Sequence, residues 1–206
     1  MSEMDESSLS TADEASPVRK RPRPGERRQQ ILQTLAAMLE QPGAERVTTA
    51  SLAAKIGVSE AALYRHFASK AQMFEGLIDF VDQSVIGLIR QVTDREPVGP
   101  NQAARIVALL LQFAEKNPGM CRVMTGDALV LEHERLQERI NLLFDKIESQ
   151  LRQSLKGQAT DTPTADAQVA ASVLVAFMQG RLQRFARSGF KRLPSEHLQA
   201  ALARML

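Results

Sequence analysis

The segment 48–70 constrains the fold more than any other part of the chain, because it holds two short helical patterns with one glycine between them. Thr48 and Thr49 are good N-cap residues for a first helix that runs to about Ile56. Gly57 supplies the turn, since glycine readily adopts the left-handed backbone conformation that ends a helix. Apolar residues of both helices recur on one inward face, which predicts a helix-turn-helix.

The second helix of this pair begins at the N-cap residue Ser59 and is predicted over about residues 59–66. Its first turn has small side chains, which let a helix sit deep in the major groove of DNA. Ala61 and Ala62 are placed to contact thymine methyl groups. Arg65 can reach a guanine edge or a phosphate, and it can equally point to solvent.

Polar groups around this helix suit the sugar–phosphate backbone. Tyr64, His66 and Lys70 carry groups that bond phosphates, and free amides at helix N-termini add to them. Tyr64 can instead belong to the core, and His66 can instead cap or pack. Glu60 is expected to favour the helix dipole rather than to accept a bond from cytosine. The candidate DNA contacts are therefore Thr48, Thr49, Ser59, Ala61, Ala62, Tyr64, Arg65, His66 and Lys70.

The charge of the chain is distributed unevenly, although its formal net value is only +2. Residues 1–16 hold five acids and no base, and residues 17–70 hold ten bases and four acids. Residues 71–206 are almost neutral, with sixteen bases and fifteen acids. Such asymmetry suggests a polyanion partner for the basic segment. The tail bases that can lie along the backbone or in the minor groove are Arg19, Lys20, Arg21 and Arg23.

The rest of the chain is predicted to be helical, because apolar residues recur at steps of three and four and no strand alternation is seen. The fold class is therefore all-α. Residues 1–24 are rich in Ser, Glu and Pro and are expected to be disordered. Thr162 suits an N-cap. Helices outside the first pair are predicted at about residues 26–40, 69–92, 102–116, 118–125, 136–151, 164–188 and 195–206.

Other classes of function lack their signatures. The sequence has no GxSxG, GxxxxGK[ST] or HExxH motif, so we expect no enzyme, no metal and no cofactor. Cys121 is expected to be a packed thiol and His133 a solvated residue. Arg181, Arg184 and Arg187 are expected to form a solvated face rather than a second DNA site. The acidic N-terminus is not a signal peptide, and no apolar run of about 18 residues predicts a membrane span.

The segment TTASLAAKIGVSEAALYRHFASK resembles the helix-turn-helix of the TetR family of bacterial regulators. This resemblance implies a DNA-binding head at residues 25–85 and a helical C-terminal domain at residues 86–206. It also implies a homodimer, built on helices at about residues 164–188 and 195–206, that reads pseudo-palindromic double-stranded DNA. The positions that match the family pattern are Thr49, Leu52, Ala53, Gly57, Val58, Ser59, Leu63, Tyr64, His66, Phe67 and Lys70.

Residues 114–155 are similar to one branch of that family, and the resemblance extends over roughly residues 26–206. In that branch the DNA-bound protein antagonises FtsZ, the tubulin-like division GTPase, so that septa are not built across the chromosome. The resemblance implies FtsZ as a partner, a cytoplasmic location at the nucleoid and no small-molecule ligand. The head motif alone supports an alternative, a ligand-responsive transcriptional repressor. Such a repressor needs a pocket with polar groups, and the C-terminal domain has no Trp and no Tyr.

Candidate partner contacts follow the head. Phe80 is offset from the main apolar face of its helix, so it either packs in the core or lines a cleft that receives a partner peptide. Lys116, Asn117 and Arg122 flank a loop that can share this cleft. The resemblance to the branch also implies a basic residue near Gly87 and Leu88, and Arg90 is the nearest base to that place in this chain. Apolar surface with a few bases suits an acidic, apolar peptide.

Overall fold

The computed structural model describes residues 25–41, 47–130, 132–156 and 163–206. All regular structure in these ranges is helical, which confirms the all-α prediction. In chain order the helices are α1 (Glu26–Leu39), α2 (Thr49–Ile56), α3 (Glu60–Tyr64), α4 (Lys70–Thr93), α5 (Pro100–Lys116), α6 (Pro118–Met124), α7 (Arg135–Leu155), α8 (Pro163–Arg187) and α9 (Leu198–Met205), with a 3-10 turn at Asp127–Leu129.

The head consists of α1, α2, α3 and the start of α4, which pack around one apolar cluster. Ile31 of α1, Leu52 of α2 and Leu63 of α3 are buried together with Phe67. Gly57 ends α2 in a left-handed conformation with φ 76°. The predicted helix-turn-helix is therefore confirmed, and its turn needs glycine because other residues are strained at this φ.

The second helix of the pair is shorter than predicted. α3 ends at Tyr64, whereas the sequence predicts helix as far as His66. The amides of His66 and Phe67 both donate to the carbonyl of Leu63, which closes a turn and returns Phe67 to the core. Arg65 and His66 therefore follow the helix rather than lie within it.

The head and the rest of the molecule share α4. Ser69 caps this helix, as predicted, by accepting a hydrogen bond from the Gln72 amide at 3.2 Å. The apolar face of α4 is buried along its length, from Met73 in the head to Val92 at the far end. The predicted domain boundary at residue 85 thus falls inside a continuous helix. This helix connects the head directly to the rest of the molecule.

The body is formed by α5, α7, α8 and the second half of α4. α7 and α8 have the most extensive contact, and buried Leu143 and Ile147 of α7 share the core with buried Leu174 and Met178 of α8. α6 contacts α1 of the head as well as α4, α5 and α8 of the body. Head and body are therefore joined by the continuous helix α4 and also by the contacts of α6 with α1.

Two helix starts differ from the predictions. α5 begins at Pro100 rather than at residue 102, because proline is favoured at the first helical position. α9 begins at Leu198 rather than at Ser195. His197 has a φ of 53°, in the left-handed region, so it cannot be part of a right-handed helix, and the helix begins only after it. The Ser195 hydroxyl instead donates to a carboxylate oxygen of Glu115 at 2.6 Å.

Several predictions concern isolated positions. Cys121 is buried and His133 is exposed, both as predicted. The predictions for residues 1–24 and for a cap at Thr162 fall outside the described residues. Within those residues, no helix combines the length and apolar character that crossing a membrane requires. The same part of the chain holds no group of three or more His, Cys, Asp or Glu side chains that could bind a metal ion.

Candidate nucleic-acid interface

Two hydroxyl side chains that the sequence marks as DNA contacts cap α2 and α3. The Thr48 hydroxyl accepts a hydrogen bond from the Ser51 amide at 3.1 Å, and the Ser51 hydroxyl accepts one from the Thr48 amide at 3.1 Å. The Ser59 hydroxyl accepts from the Ala62 amide at 3.3 Å. Because each cap satisfies a donor of the first helical turn, Thr48 and Ser59 set where the two helices begin.

Thr49 joins the two helices of the pair. Its hydroxyl donates to Oε2 of Glu60, the first residue of α3, over 2.6 Å. The negative charge of Glu60 lies in the first turn of α3, where the helix dipole favours it, as expected. The bond therefore orients α3 against α2, a positioning role that adds to the predicted contact of Thr49 with DNA.

The surface of α3 and of the turn after it is open to solvent. Ala61, Arg65 and His66 are exposed, and Ala62 is half-buried. Tyr64 is 46% exposed, so the alternative that places it in the core is wrong. The packing alternative for His66 is wrong for the same reason. Small side chains at the start of α3 are thus followed by longer polar ones, which fits base contacts beside backbone contacts.

Lys70, a further predicted DNA contact, is held in an ion pair within the chain. Its ammonium group donates to Oε1 of Glu132, which lies just before α7. The Lys70 nitrogen also lies 5.7 Å from the centre of the Phe74 ring. Sequence reasoning missed Glu132, because 62 residues separate it from Lys70 and no local pattern links them.

Three further ion pairs join α4 to α7. In each of them the acid belongs to α4 and the base belongs to α7, whereas the pair at Lys70 has the opposite polarity. The three pairs are Glu75 with Arg135 at 2.8 Å, Asp79 with Arg139, and Asp82 with Lys146 at 2.8 Å.

Three of the predicted partner residues are accessible. Phe80 is 49% exposed, so the alternative in which it packs in the core is wrong. Arg90 and Lys116 are exposed as well. Asn117 is half-buried, and its side-chain amide donates to the carbonyl of Phe113 at 2.7 Å. Asn117 therefore closes the end of α5 in addition to any contact with a partner.

Arg122 has an intramolecular partner that the sequence did not indicate. Its guanidinium carbon lies 5.1 Å from the centre of the Phe190 ring, and the side chain is half-buried. Phe190 has a positive φ of 64° and packs edge-on against Phe185. Arg122 thus attaches α6 to the segment that follows α8.

One face of α8 is apolar and exposed. Val169 and Val173 are exposed, and Gly180 is an exposed glycine on the same side of the helix. A β-carbon built on Gly180 would meet nothing within 4 Å. An exposed apolar stripe of this kind is typical of an interface, and it lies in a helix that the family resemblance assigns to dimerisation.

The arginines of α8 are only partly solvated. Arg184 and Arg187 are exposed, as predicted. Arg181 is half-buried instead, because its guanidinium lies 4.9 Å from the centre of the Phe177 ring and donates to the carbonyl of Glu196 at 2.8 Å. Arg181 therefore ties α8 to the segment before α9.

An open depression of about 510 Å³ lies between α6, α7 and α8. It is the kind of feature in which the repressor alternative would place a ligand, although such sites are usually deep clefts that bury most of the ligand. Its lining mixes amide and guanidinium groups with apolar side chains, among them Gln137, Asn141, Phe144, Gln183 and Arg187.

Known protein families match both parts of the chain. The family described as bacterial regulatory proteins, tetR family, matches residues 31–77. The SlmA-like family described as Tetracyclin repressor-like, C-terminal domain, matches residues 101–205. The first match covers the helix-turn-helix, and the second covers α5 to α9.

Curated relatives are similar over most of their length. The nucleoid occlusion factor SlmA of Idiomarina loihiensis is 51% identical over 177 residues, which cover 84% of this chain and 90% of that protein. The protein of the same name from Photobacterium profundum is 50% identical over 175 residues, which cover 83% and 89%. The one from Vibrio cholerae is 49% identical over 173 residues, which cover 82% and 88%.

Solved structures share the fold at low sequence identity. The fatty acid degradation regulator FadR from Bacillus halodurans superimposes with a TM-score of 0.70 at 15% identity, covering 88% of this chain and 95% of that one. The TetR family regulator PfmR from Thermus thermophilus gives 0.66 at 19% identity, covering 85% and 96%. At such identities the likeness concerns the fold alone, and it confirms the predicted architecture.

Proposed function

Because the chain belongs to the SlmA family of nucleoid occlusion factors, within the TetR-type bacterial regulators, we propose that it binds chromosomal DNA as a homodimer and in that state antagonises FtsZ. Septa are then not built over the nucleoid, and the protein resides in the cytoplasm at the chromosome. The observation that carries this proposal is the identity of about half the residues to nucleoid occlusion factors across head and body together.

The head, for which we keep the range 25–85, supplies the DNA contact. α3 enters the major groove with Ala61 and Ala62 towards the bases, and Arg65 reads a base edge. Tyr64 and His66, both exposed, bond phosphates and carry no sequence information. The proposal is supported by the exposure of these side chains together with the basic surplus of residues 17–70.

The body, residues 86–206, supplies the dimer. The exposed stripe of Val169 and Val173 on α8 packs against the same stripe of a second copy, with α9 beside it, since two-fold homodimers use one patch on both subunits. The two heads then read half-sites about 34–36 Å apart, one helical turn of DNA, so the recognised sites are pseudo-palindromes.

Phe80, Arg90 and Lys116 form the surface that we assign to FtsZ. The exposed aromatic ring offers an apolar anchor, and the two exposed bases offer positive charge, to an acidic, apolar peptide. Asn117 and Arg122 are the other two residues predicted to contact the partner. Both are half-buried: the side-chain amide of Asn117 donates to the carbonyl of Phe113, and the guanidinium of Arg122 lies over the Phe190 ring. DNA promotes the FtsZ-active state only if it prefers that state, and FtsZ then tightens DNA binding by the same factor.

The first experiment selects bound sequences from a random duplex pool and then adds the recovered duplex to polymerising FtsZ. We expect pseudo-palindromic sites, binding of FtsZ in the presence of the duplex, and fewer sedimentable FtsZ polymers. Absence of FtsZ binding at low salt with the duplex present contradicts the proposed activity.

A pair of variants tests the surface assigned to FtsZ. Phe80→Ala is expected to lose the effect on FtsZ and to keep its DNA affinity. Leu142→Ala is the matched control, because it removes an exposed apolar side chain from a different helix, α7. It is expected to keep both the effect on FtsZ and the DNA affinity. An unaltered effect of Phe80→Ala on FtsZ contradicts this assignment.

The second candidate function, a ligand-responsive repressor, is supported by the head motif and by the polar-lined depression between α6, α7 and α8. Mapping of bound DNA across the genome separates the two candidates. Many sites over the chromosome, sparse near the terminus, support nucleoid occlusion. A single site beside its own promoter supports the repressor.

A further inference from the structure

We propose that Glu132, a residue of the body, limits the DNA affinity of this protein by competing with a DNA phosphate for Lys70. This inference rests on the proposed DNA contact of Lys70. It adds a residue outside the head to those that determine DNA binding. It also implies that DNA binding affects the segment that leads into α7.

The Lys70–Glu132 pair is less exposed than the other ion pairs between α4 and the α7 region. The Glu132 side chain is 13% exposed, whereas the acids of the other three pairs are 26%, 52% and 28% exposed. Screening by water and salt is weaker for partly buried charges than for exposed ones. Glu132 therefore neutralises Lys70 more effectively than an exposed carboxylate would.

Polarity sets this pair apart as well. The three acids of α4 that pair with bases of α7 already attach the two helices. The fourth pair reverses the order and places its base on Lys70, the first residue of α4, at the end that belongs to the head. A further ion pair between α4 and the α7 region would not require a base at the head end of α4, whereas a contact with a DNA phosphate would.

The Glu132 carboxylate and a DNA phosphate compete for the single positive charge of Lys70, so neither can be fully neutralised while the other is bound. A free Lys70 would release about one counterion from DNA, which adds about 0.9 to the slope of log affinity against log salt for each protomer. A Lys70 that stays paired with Glu132 contributes less, and the carboxylate repels the phosphate. A phosphate that captures Lys70 leaves Glu132 without this base, three residues before Arg135 at the start of α7. DNA binding thereby changes the charge balance at the head–body junction.

The test measures binding of the full-length protein to a mixed-sequence duplex of about 20 base pairs, two helical turns, over a range of salt concentrations. Glu132→Gln is expected to bind about three- to tenfold more tightly at low salt, the effect of an ion pair of modest strength in each protomer. Its salt slope is expected to be steeper by about 0.9 for each protomer. Glu132→Asp, which keeps the charge, is expected to show a smaller gain.

Glu134→Gln is the matched control, since it removes the same charge two residues away and no ion pair of Glu134 is seen in the described part of the chain. It is expected to leave affinity and slope nearly unchanged. In a Lys70→Gln background, Glu132→Gln is expected to have a much smaller effect, because only the repulsion between carboxylate and phosphate is then relieved. Unchanged or weaker binding by Glu132→Gln, while Lys70→Gln weakens binding, overturns the role of Glu132 alone. Full affinity of Lys70→Gln overturns the DNA contact of Lys70 and the inference with it.

Discussion

Gly119 of α6 lies against the backbone of Ala36 in α1 so closely that a β-carbon on Gly119 would be 2.1 Å from the Ala36 carbonyl oxygen. Real β-carbons do not approach a carbonyl oxygen to this distance, so only glycine fits between the two helices without a backbone shift. α6 belongs to the body and α1 to the head. This contact therefore determines how closely the two parts pack.

Gly119→Ala is expected to lower the free energy of unfolding by about 2 kcal/mol or more, because overpacking against backbone is not relieved by rotating a side chain. Urea denaturation at a fixed protein concentration measures the loss. Gly87→Ala is the control, because a β-carbon there meets nothing within 4 Å inside α4. It is expected to raise stability by about 0.5–1 kcal/mol. Equal effects of the two substitutions would contradict the close approach.

Tyr64 and Arg65 are adjacent and exposed, but we expect their removal to affect DNA binding differently. Tyr64→Ala is expected to weaken binding to every duplex, because a phosphate contact does not depend on sequence. Arg65→Ala is expected to weaken binding mainly to the selected site, by about 1–3 kcal/mol if Arg65 makes a bidentate guanine contact. Titrations with the selected site and with a mixed-sequence duplex separate these effects. Equal losses on both duplexes for Arg65→Ala would show that it contacts phosphate only.

The exposed stripe of α8 is expected to be the dimer contact. Val173→Glu should raise the dimer dissociation constant about 100-fold or more. In a two-fold dimer this residue of each subunit lies in the interface, so two unpaired carboxylates would be buried there. Sedimentation equilibrium measures this constant. Leu142→Glu changes a side chain on α7 that is 58% exposed, comparable with 48% for Val173, and should leave the dimer intact. A dimeric Val173→Glu protein would exclude this face as the interface.

Local signals in the sequence predicted most of the head. A hydroxyl residue before an apolar run is enough to predict the caps at Thr48, Ser59 and Ser69, since each hydroxyl bonds to an amide three residues away. The pairing of Lys70 with Glu132 depends on how α4 and the α7 region pack, and no local pattern contains that information. The exposure of Phe80 was also open in the sequence, because an aromatic residue beside an apolar helix face fits core and surface equally well.

The acidic tail is expected to restrain non-specific DNA binding. Residues 1–16 carry five acids beside the basic residues that follow. Their deletion should raise affinity for a mixed-sequence duplex at low salt, and the difference should shrink above about 0.15 M salt, where the Debye length is about 8 Å. A variant with the five acids replaced by their amides should behave like the deletion. Equal affinity of deleted and intact proteins at low salt would contradict the restraint.

The buried thiol of Cys121 should make stability depend on pH in the alkaline range. Burial, followed by the negative charge of Asp127, raises the pKa of Cys121 to about 12, although Arg122 partly opposes the shift. In the unfolded chain the Cys121 thiol ionises near its ordinary pKa of about 8.5, so the folded protein holds the thiol proton more tightly than the unfolded chain does. The stabilising contribution is complete below that pH and is lost as pH rises towards 12. The difference in unfolding free energy between the natural protein and Cys121→Ala should therefore fall by about 1.4 kcal/mol per pH unit above pH ~9. Urea denaturation at a series of pH values measures it, and a difference that stays constant up to pH ~10.5 would show that the thiol of the folded protein ionises as readily as that of the unfolded chain.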